Sequence, residues 1–261
     1  MPHVELNGQN IFYEDTGGEG PPVVLAHGFL MDLSMFDPQV SALAPELRVI
    51  RFDARGFGRT QSDGKRFTYW DSAEDYIRLL DHLGVERAVV GGMSQGGFLG
   101  LRAALKWPDR VKGLVLISTQ AGVDDAATLA GYRGMLETWR AQGPIDPIVH
   151  TIAGLILGAR EHWEPWVSRW RKTQVESLVA PTLALIERED LTARLSEIPH
   201  PAIVFHGDAD TAISIERGRA LASSLPGCKA FVEVKGAAHA SNLTHPDQVN
   251  PPLLAFLREY A

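Results

Sequence analysis

A single cysteine, Cys228, stands in a chain of 261 residues, so no disulfide can form within it and the fold must rest on packing. It sits in Pro226-Gly227-Cys228-Lys229, a turn-like context with no histidine or charged helix start to activate it, and reads as a structural thiol. Basic residues are in the minority: 25 Lys and Arg against 32 Asp and Glu leave a net charge of −7. With no basic tail or cluster, nothing marks a nucleic-acid surface, and the acidic excess reads as solubility. No apolar run approaches the length of a membrane span. The opening Met1-Pro2-His3-Val4-Glu5 lacks the charged region and apolar stretch of a secretory leader. The expectation is a soluble, cytoplasmic protein with neither a nucleic-acid nor a membrane partner; association into a homo-oligomer stays open.

What is present is a rhythm. Short β-branched or aliphatic runs at 23–26, 49–52, 88–91, 114–117, 203–205 and 231–234 alternate with longer helix-compatible stretches, the pattern of βαβ units and a mostly parallel sheet. Most of these runs are too apolar for a sheet with one wet face, which implies helices on both sides. Residues 3–6 and 11–14, separated by Asn7-Gly8-Gln9-Asn10, read as an antiparallel hairpin at one edge, for eight strands in all. Between the runs at 114 and 203 lie about eighty residues without a strand pattern, far more than one crossover needs. An inserted helical subdomain is expected at 121–197, leaving 1–120 and 198–261 as the core.

One motif carries chemistry. Gly92-Met93-Ser94-Gln95-Gly96 fits G-x-S-x-G, with an apolar strand ending before it and a helix candidate, 97–106, after it. A serine on so sharp a turn needs nearly side-chain-free neighbours two residues to either side, so that strand and helix can pass. Gly92 and Gly96 meet that need.

On these residues the chain resembles an α/β-hydrolase-fold enzyme with a helical cap, from about Val4 to the C-terminus. His27-Gly28-Phe29 resembles the family's H-G loop, which implies an oxyanion hole from the backbone N–H groups of Phe29 and Gln95. Asp53-Ala54-Arg55-Gly56-Phe57-Gly58-Arg59-Thr60 is similar to the family's D-x-R-G-x-G-x-[ST] loop, whose part is structural. As a lone glycine loop it suggests phosphate binding, but no Lys-Ser/Thr follows and no ribose-binding acid is spaced for a dinucleotide, so no cofactor is expected.

The serine needs a base. Of nine histidines, His239 follows the last strand by a short glycine-containing loop, where the family carries its catalytic histidine; His245 looks instead like the start of the terminal helix. In the order Ser, Asp, His, the acid falls in His206-Gly207-Asp208-Ala209-Asp210, which offers two. The family's spacing, three residues past the glycine, implies Asp210 and leaves Asp208 to shape the loop. A metal reading of His206, Asp208 and Asp210 lacks a further ligand group, so no metal is expected.

The resemblance therefore implies a serine hydrolase cleaving a carboxylic ester or lactone through an acyl-enzyme on Ser94. It is closest to the 3-oxoadipate enol-lactonase-like and small-carboxylesterase branch. A serine at the elbow argues against dehalogenases and epoxide hydrolases, which place aspartate there. C–C bond hydrolases and cofactor-free perhydrolases or haloperoxidases share the triad, and a ligand-binding protein on a hydrolase fold is the non-enzyme alternative, with a damaged triad as its usual sign. In the insertion, Trp163, Trp166 and Trp170 recur at i, i+3 and i+7, one face of a helix, and serve either as packing or as a pocket wall. Arg133, Arg140, Arg160, Arg169 and Arg171 read as solvated.

Overall fold

The computed structural model describes residues 3–261. The chain first turns back at Asn7 and Gly8, both at positive φ (49° and 74°), the backbone a two-residue type I′ hairpin requires and Asn-Gly adopts readily. The turn is tighter than the four residues expected, so β1 (His3–Leu6) and β2 (Gln9–Asp15) pair antiparallel with Leu6 opposite Gln9. β2 in turn pairs antiparallel with β4 (Arg48–Phe52).

The other strands, β3 (Pro22–Ala26), β5 (Ala88–Met93), β6 (Val111–Ile117), β7 (Ala202–Gly207) and β8 (Cys228–Val234), complete one eight-stranded sheet in the order β1-β2-β4-β3-β5-β6-β7-β8. From β4 to β8 every pairing is parallel. β5 and β7 are buried along their whole length, as apolar runs covered on both faces must be, while β8, at the edge, is mostly half-buried. Cys228 closes the turn at 225–228, its N–H on Leu225 O at 3.1 Å, and opens that edge strand; burial raises its thiol pKa.

Helices α1 (Asp37–Leu43) and α10 (Pro246–Tyr260) pack on each other, as do α2 (Tyr69–His82) and α3 (Gln95–Lys106). Right-handed crossovers place the two pairs on opposite faces, since β3 to β4 steps one way along the sheet and β4 to β5 to β6 steps the other. α8 (Ile215–Ser224) joins β7 to β8, and α9 (Ser241–Thr244) is a single turn before α10.

Between β6 and β7 come only helices: α4 (Ala126–Gln142), α5 (Asp146–Leu157), α6 (Trp166–Trp170) and α7 (Val175–Ile186), with short 3-10 turns. α4 lies against α7 and α5 against α6. The single helix expected to carry Trp163, Trp166 and Trp170 is not formed. Pro165, which has no N–H to give, precedes a five-residue α6, and Trp163 lies outside it. Among the described residues no helix is long and apolar enough to cross a membrane.

Candidate active site

All the parallel strands end at one edge of the sheet, and each motif read from the sequence occupies the loop just past such an end. β3 runs into His27, β4 into Asp53, β5 into Ser94 and β7 into Asp208. The edge therefore gathers residues that are far apart in the chain.

Ser94 sits between β5 and α3 at φ 50°, ψ −107°, a left-handed conformation that serine rarely adopts. Two sets of contacts hold it there. Its N–H donates to Ile117 O at 2.8 Å, and its carbonyl accepts from Thr119 Oγ1 at 2.8 Å as well as from the first turn of α3. The flanking glycines are obligatory: a Cβ on Gly92 or on Gly96 would fall 1.9 Å from the same atom, Ala26 O. The strained elbow is thus wedged against β3.

Gln95 opens α3, so its N–H has no partner within the helix. Its side chain is buried and accepts from Tyr69 OH at 3.1 Å. Across from it, a Cβ on Gly28 would lie 3.6 Å from Ser94 Cβ, which brings the loop holding Phe29 beside the serine. That loop is braced by His27, fully buried, whose Nδ1 donates to Gly28 O (2.7 Å) while Nε2 accepts from Ala54 N–H (2.8 Å). Asp53 ties two loops together, accepting from Leu33 N–H and Arg59 N–H, each at 2.8 Å. Burial raises its pKa, partly offset by His27 and these two amides.

His239 and Asp210 are joined. His239 Nδ1 lies 2.8 Å from Asp210 Oδ2, and both residues are more than nine-tenths buried. Asp210 Oδ1 accepts from Ala212 N–H (2.9 Å) and Ile213 N–H (3.0 Å). Burial alone would raise the Asp210 pKa, but His239, His206 and the Ile213 amide together hold it far below the usual carboxylate range. Asp208 turns away, accepting from Gly236 N–H at 2.7 Å beside Lys235, so it closes the loop that carries His239. Asp208 accordingly does not converge with His206 and Asp210.

The serine and the pair are linked through the strand between them. Ser94 is bonded to Ile117; Ser118 next to it donates to Phe205 O in β7 and approaches Ser241, two residues past His239, with Oγ atoms 3.5 Å apart. Ser94, His239 and Asp210 are 7%, 6% and 7% exposed, so the group is nearly closed to water.

The helical insertion lies directly on this edge. Ala240 N–H donates to Ile156 O at 2.7 Å, next to His239. Trp170 Nε1 donates to Leu30 O at 2.6 Å, and Arg169 reaches Asp32 (2.8 Å) and Ser34 (2.6 Å), so α6 grips the loop holding Phe29. Arg169, read as solvated, is exposed and makes these contacts at the surface. Trp166 and Trp170 are buried packing residues; Trp163 is half-buried, its Nε1 on Gly158 O at 3.0 Å. Tyr132 of α4 stacks edge-on to Phe29, ring centres 6.1 Å apart, and burial pushes its pKa up to about 12.

Sequence reasoning passed over Tyr69, Thr119 and the buried pair of Arg188 and Asp124 (3.0 Å). None has a local signal, since each partner comes from a distant segment. His206, weighed only as a metal ligand, is the exception: its position just before Gly207 and four residues from Asp210 could have marked it.

The sheet order, the strained serine elbow and the buried carboxylate–imidazole pair together define a hydrolase of the α/β class. The chain belongs to the alpha/beta hydrolase fold family, which it matches over residues 21–246. It is 32% identical to the dihydrolipoyllysine-residue acetyltransferase component of the acetoin cleaving system of Pseudomonas putida, over 98% of this chain and 69% of that one. A thermophilic esterase from Thermogutta terrifontis, solved with malate bound, superposes with a TM-score of 0.88 at 31% identity, covering 96% of this chain and 94% of the other. The enol-lactonase from Burkholderia xenovorans LB400 superposes at 0.90 with 27% identity, over 98% and 100%.

Proposed function

We propose that the protein hydrolyses a carboxylic ester or lactone, with Ser94 as nucleophile, His239 as general base and then acid, Asp210 as the residue that orients it, and the Phe29 and Gln95 N–H groups as the oxyanion hole. The observation that carries this reading is Ser94 at φ 50° at the start of α3, on the same sheet edge as the 2.8 Å Asp210–His239 pair. The likeness to an esterase and an enol-lactonase supports the same choice of bond.

Ser94 Oγ attacks the acyl carbon as its proton passes to His239 Nε2, and the carbonyl electron pair moves onto oxygen, where two fixed N–H donors meet it. Collapse breaks the bond to the leaving oxygen, which takes the proton from His239; in a lactone that oxygen stays attached to the acyl chain. Water then attacks the acyl-enzyme, giving its proton to His239, and the acid leaves as Ser94 Oγ regains that proton. Asp210 stays ionised throughout, holding Nδ1–H so that Nε2 faces the serine. In this reading residues 121–197 form a cap that selects the acyl or alcohol part and excludes water.

The test is a panel of p-nitrophenyl esters of graded acyl length, simple lactones and an enol-lactone, with an organophosphonate as covalent probe. Ser94→Ala should lower kcat by about 10⁴-fold or more without loss of fold. The phosphonate should label Ser94 alone. Comparable turnover in the alanine variant, or a label elsewhere, would overturn the assignment.

A further inference from the structure

Asp210 has a second imidazole beside it. His206, the penultimate residue of β7 and fully buried, places Nε2 2.8 Å from Ile213 O and 3.2 Å from Asp210 Oδ2. Both neighbours are acceptors, for a carbonyl oxygen has no proton and Asp210 is ionised, so Nε2 must carry the ring proton. The N–H is directed at Ile213 O, with the carboxylate oxygen off its axis. That carbonyl belongs to the same residue whose N–H holds Asp210 Oδ1. His206 therefore fastens the 210–213 turn from one side while that turn cradles the carboxylate from the other.

The rest of the ring has nowhere to go. Nδ1 is buried with no hydrogen-bond partner, and it faces α8 so closely that a Cβ on Gly218 would fall 2.3 Å from it. A buried ring nitrogen left unpaired costs stability, and nothing in the core packing requires a histidine here when an apolar ring would fill the space. The cost is understandable if the donor on the opposite nitrogen serves the site.

We propose that His206 is a positioning residue: its Nε2–H locks the Asp210 turn, and through it the orientation of His239, while touching no substrate atom. This rests on the assignment of Asp210 and His239 given above. With His206 absent, the Ile213 carbonyl loses its partner and the turn that cradles Asp210 loses that brace, so the carboxylate gains freedom to turn away from the geometry the imidazole needs.

Two measurements test the idea. In the wild-type protein, nitrogen-15 NMR with proton long-range correlation should find His206 as the Nε2–H tautomer, its N–H in slow exchange; the Nδ1–H tautomer would overturn the proposal whatever the activity. In kinetics, His206→Leu should lower kcat by about tenfold or more with KM changed less than twofold, and His206→Gln, whose amide can present an N–H toward Ile213 O, should recover most of that loss. Gly218→Ala, which helix propensity alone would favour, should also lower kcat by driving the ring toward Asp210. A Leu variant within twofold of wild-type kcat, or equal losses in Leu and Gln, would overturn the proposal. If the Leu variant does not fold, the tautomer and Gly218→Ala decide. Phosphonate labelling of Ser94 is independent of all these, so a failure of the hydrolase assignment is seen separately.

Discussion

At the residue scale, the choice between two aspartates two positions apart turns on what each accepts. Asp210 takes His239 and two backbone amides, whereas Asp208 takes Gly236 N–H. Asp210→Asn should therefore cost about 10⁴-fold in kcat, since a neutral amide no longer enforces the right imidazole tautomer. Asp208→Asn should cost far less, and the reverse ranking would move the acid. The same carboxylate predicts a pH effect on stability. Its pKa is lowered on folding, so its contribution is complete above the unfolded value near 4 and is lost as pH falls toward the folded one. Urea unfolding of wild type and Asp210→Asn should then show a stability difference that shifts against wild type below about pH 4. An unchanged difference down to pH 2 would contradict the lowered pKa.

The element scale shows where sequence patterns hold and where they stop. Every core strand was legible, because an apolar β-branched run reports burial on both faces; structure extends each by one to three residues, as for Val111–Ile117 against 114–117. The serine elbow was legible too, because its glycines fall at fixed places within one short motif, although the atom they make room for, Ala26 O, lies in β3. The tryptophan stripe misled, since periodicity counted across Pro165 as though no helix began there. In the fold the three rings have separate tasks. Trp170→Phe keeps most of the buried ring but removes the donor to Leu30 O, and should lower kcat by a similar factor on every ester, through the loop that holds Phe29. Trp163→Leu, at a half-buried site beside Gly158 and the His239 loop, should instead change the ratio of kcat/KM between short and long acyl esters by about tenfold. Uniform losses for Trp163→Leu would remove it from the pocket.

At the scale of the whole molecule, α1 is joined to the segment between His239 and α10. Gln39 of α1 donates to Asn242 O (2.9 Å) and Asn250 Oδ1 (2.7 Å), while Asn242 donates to Met35 O (3.2 Å) and Gln39 Oε1 (3.1 Å). This buried network anchors the segment just after His239 to the helix just after the Phe29 loop. No sequence reading could find it, for its members lie more than two hundred positions apart and each alone is an ordinary polar residue. Gln39→Leu should strand the Asn242 and Asn250 groups and lower stability by about 1–3 kcal/mol, read from the urea midpoint. A loss under about 0.5 kcal/mol would mean the asparagines find other partners.

The insertion's attachments bear on protein engineering. Under the function proposed above, exchanging residues 121–197 for the corresponding part of another family member would be a way to transplant selectivity. Here, though, the inserted piece holds the Phe29 loop through Trp170 and Arg169, and the His239 loop through Ile156. A chimaera cut only at the insertion's ends would import new walls and discard these fastenings. The transplantable unit is thus discontinuous: the insertion together with the Leu30 to Ser34 and Ala238 to Ala240 stretches it was fitted to.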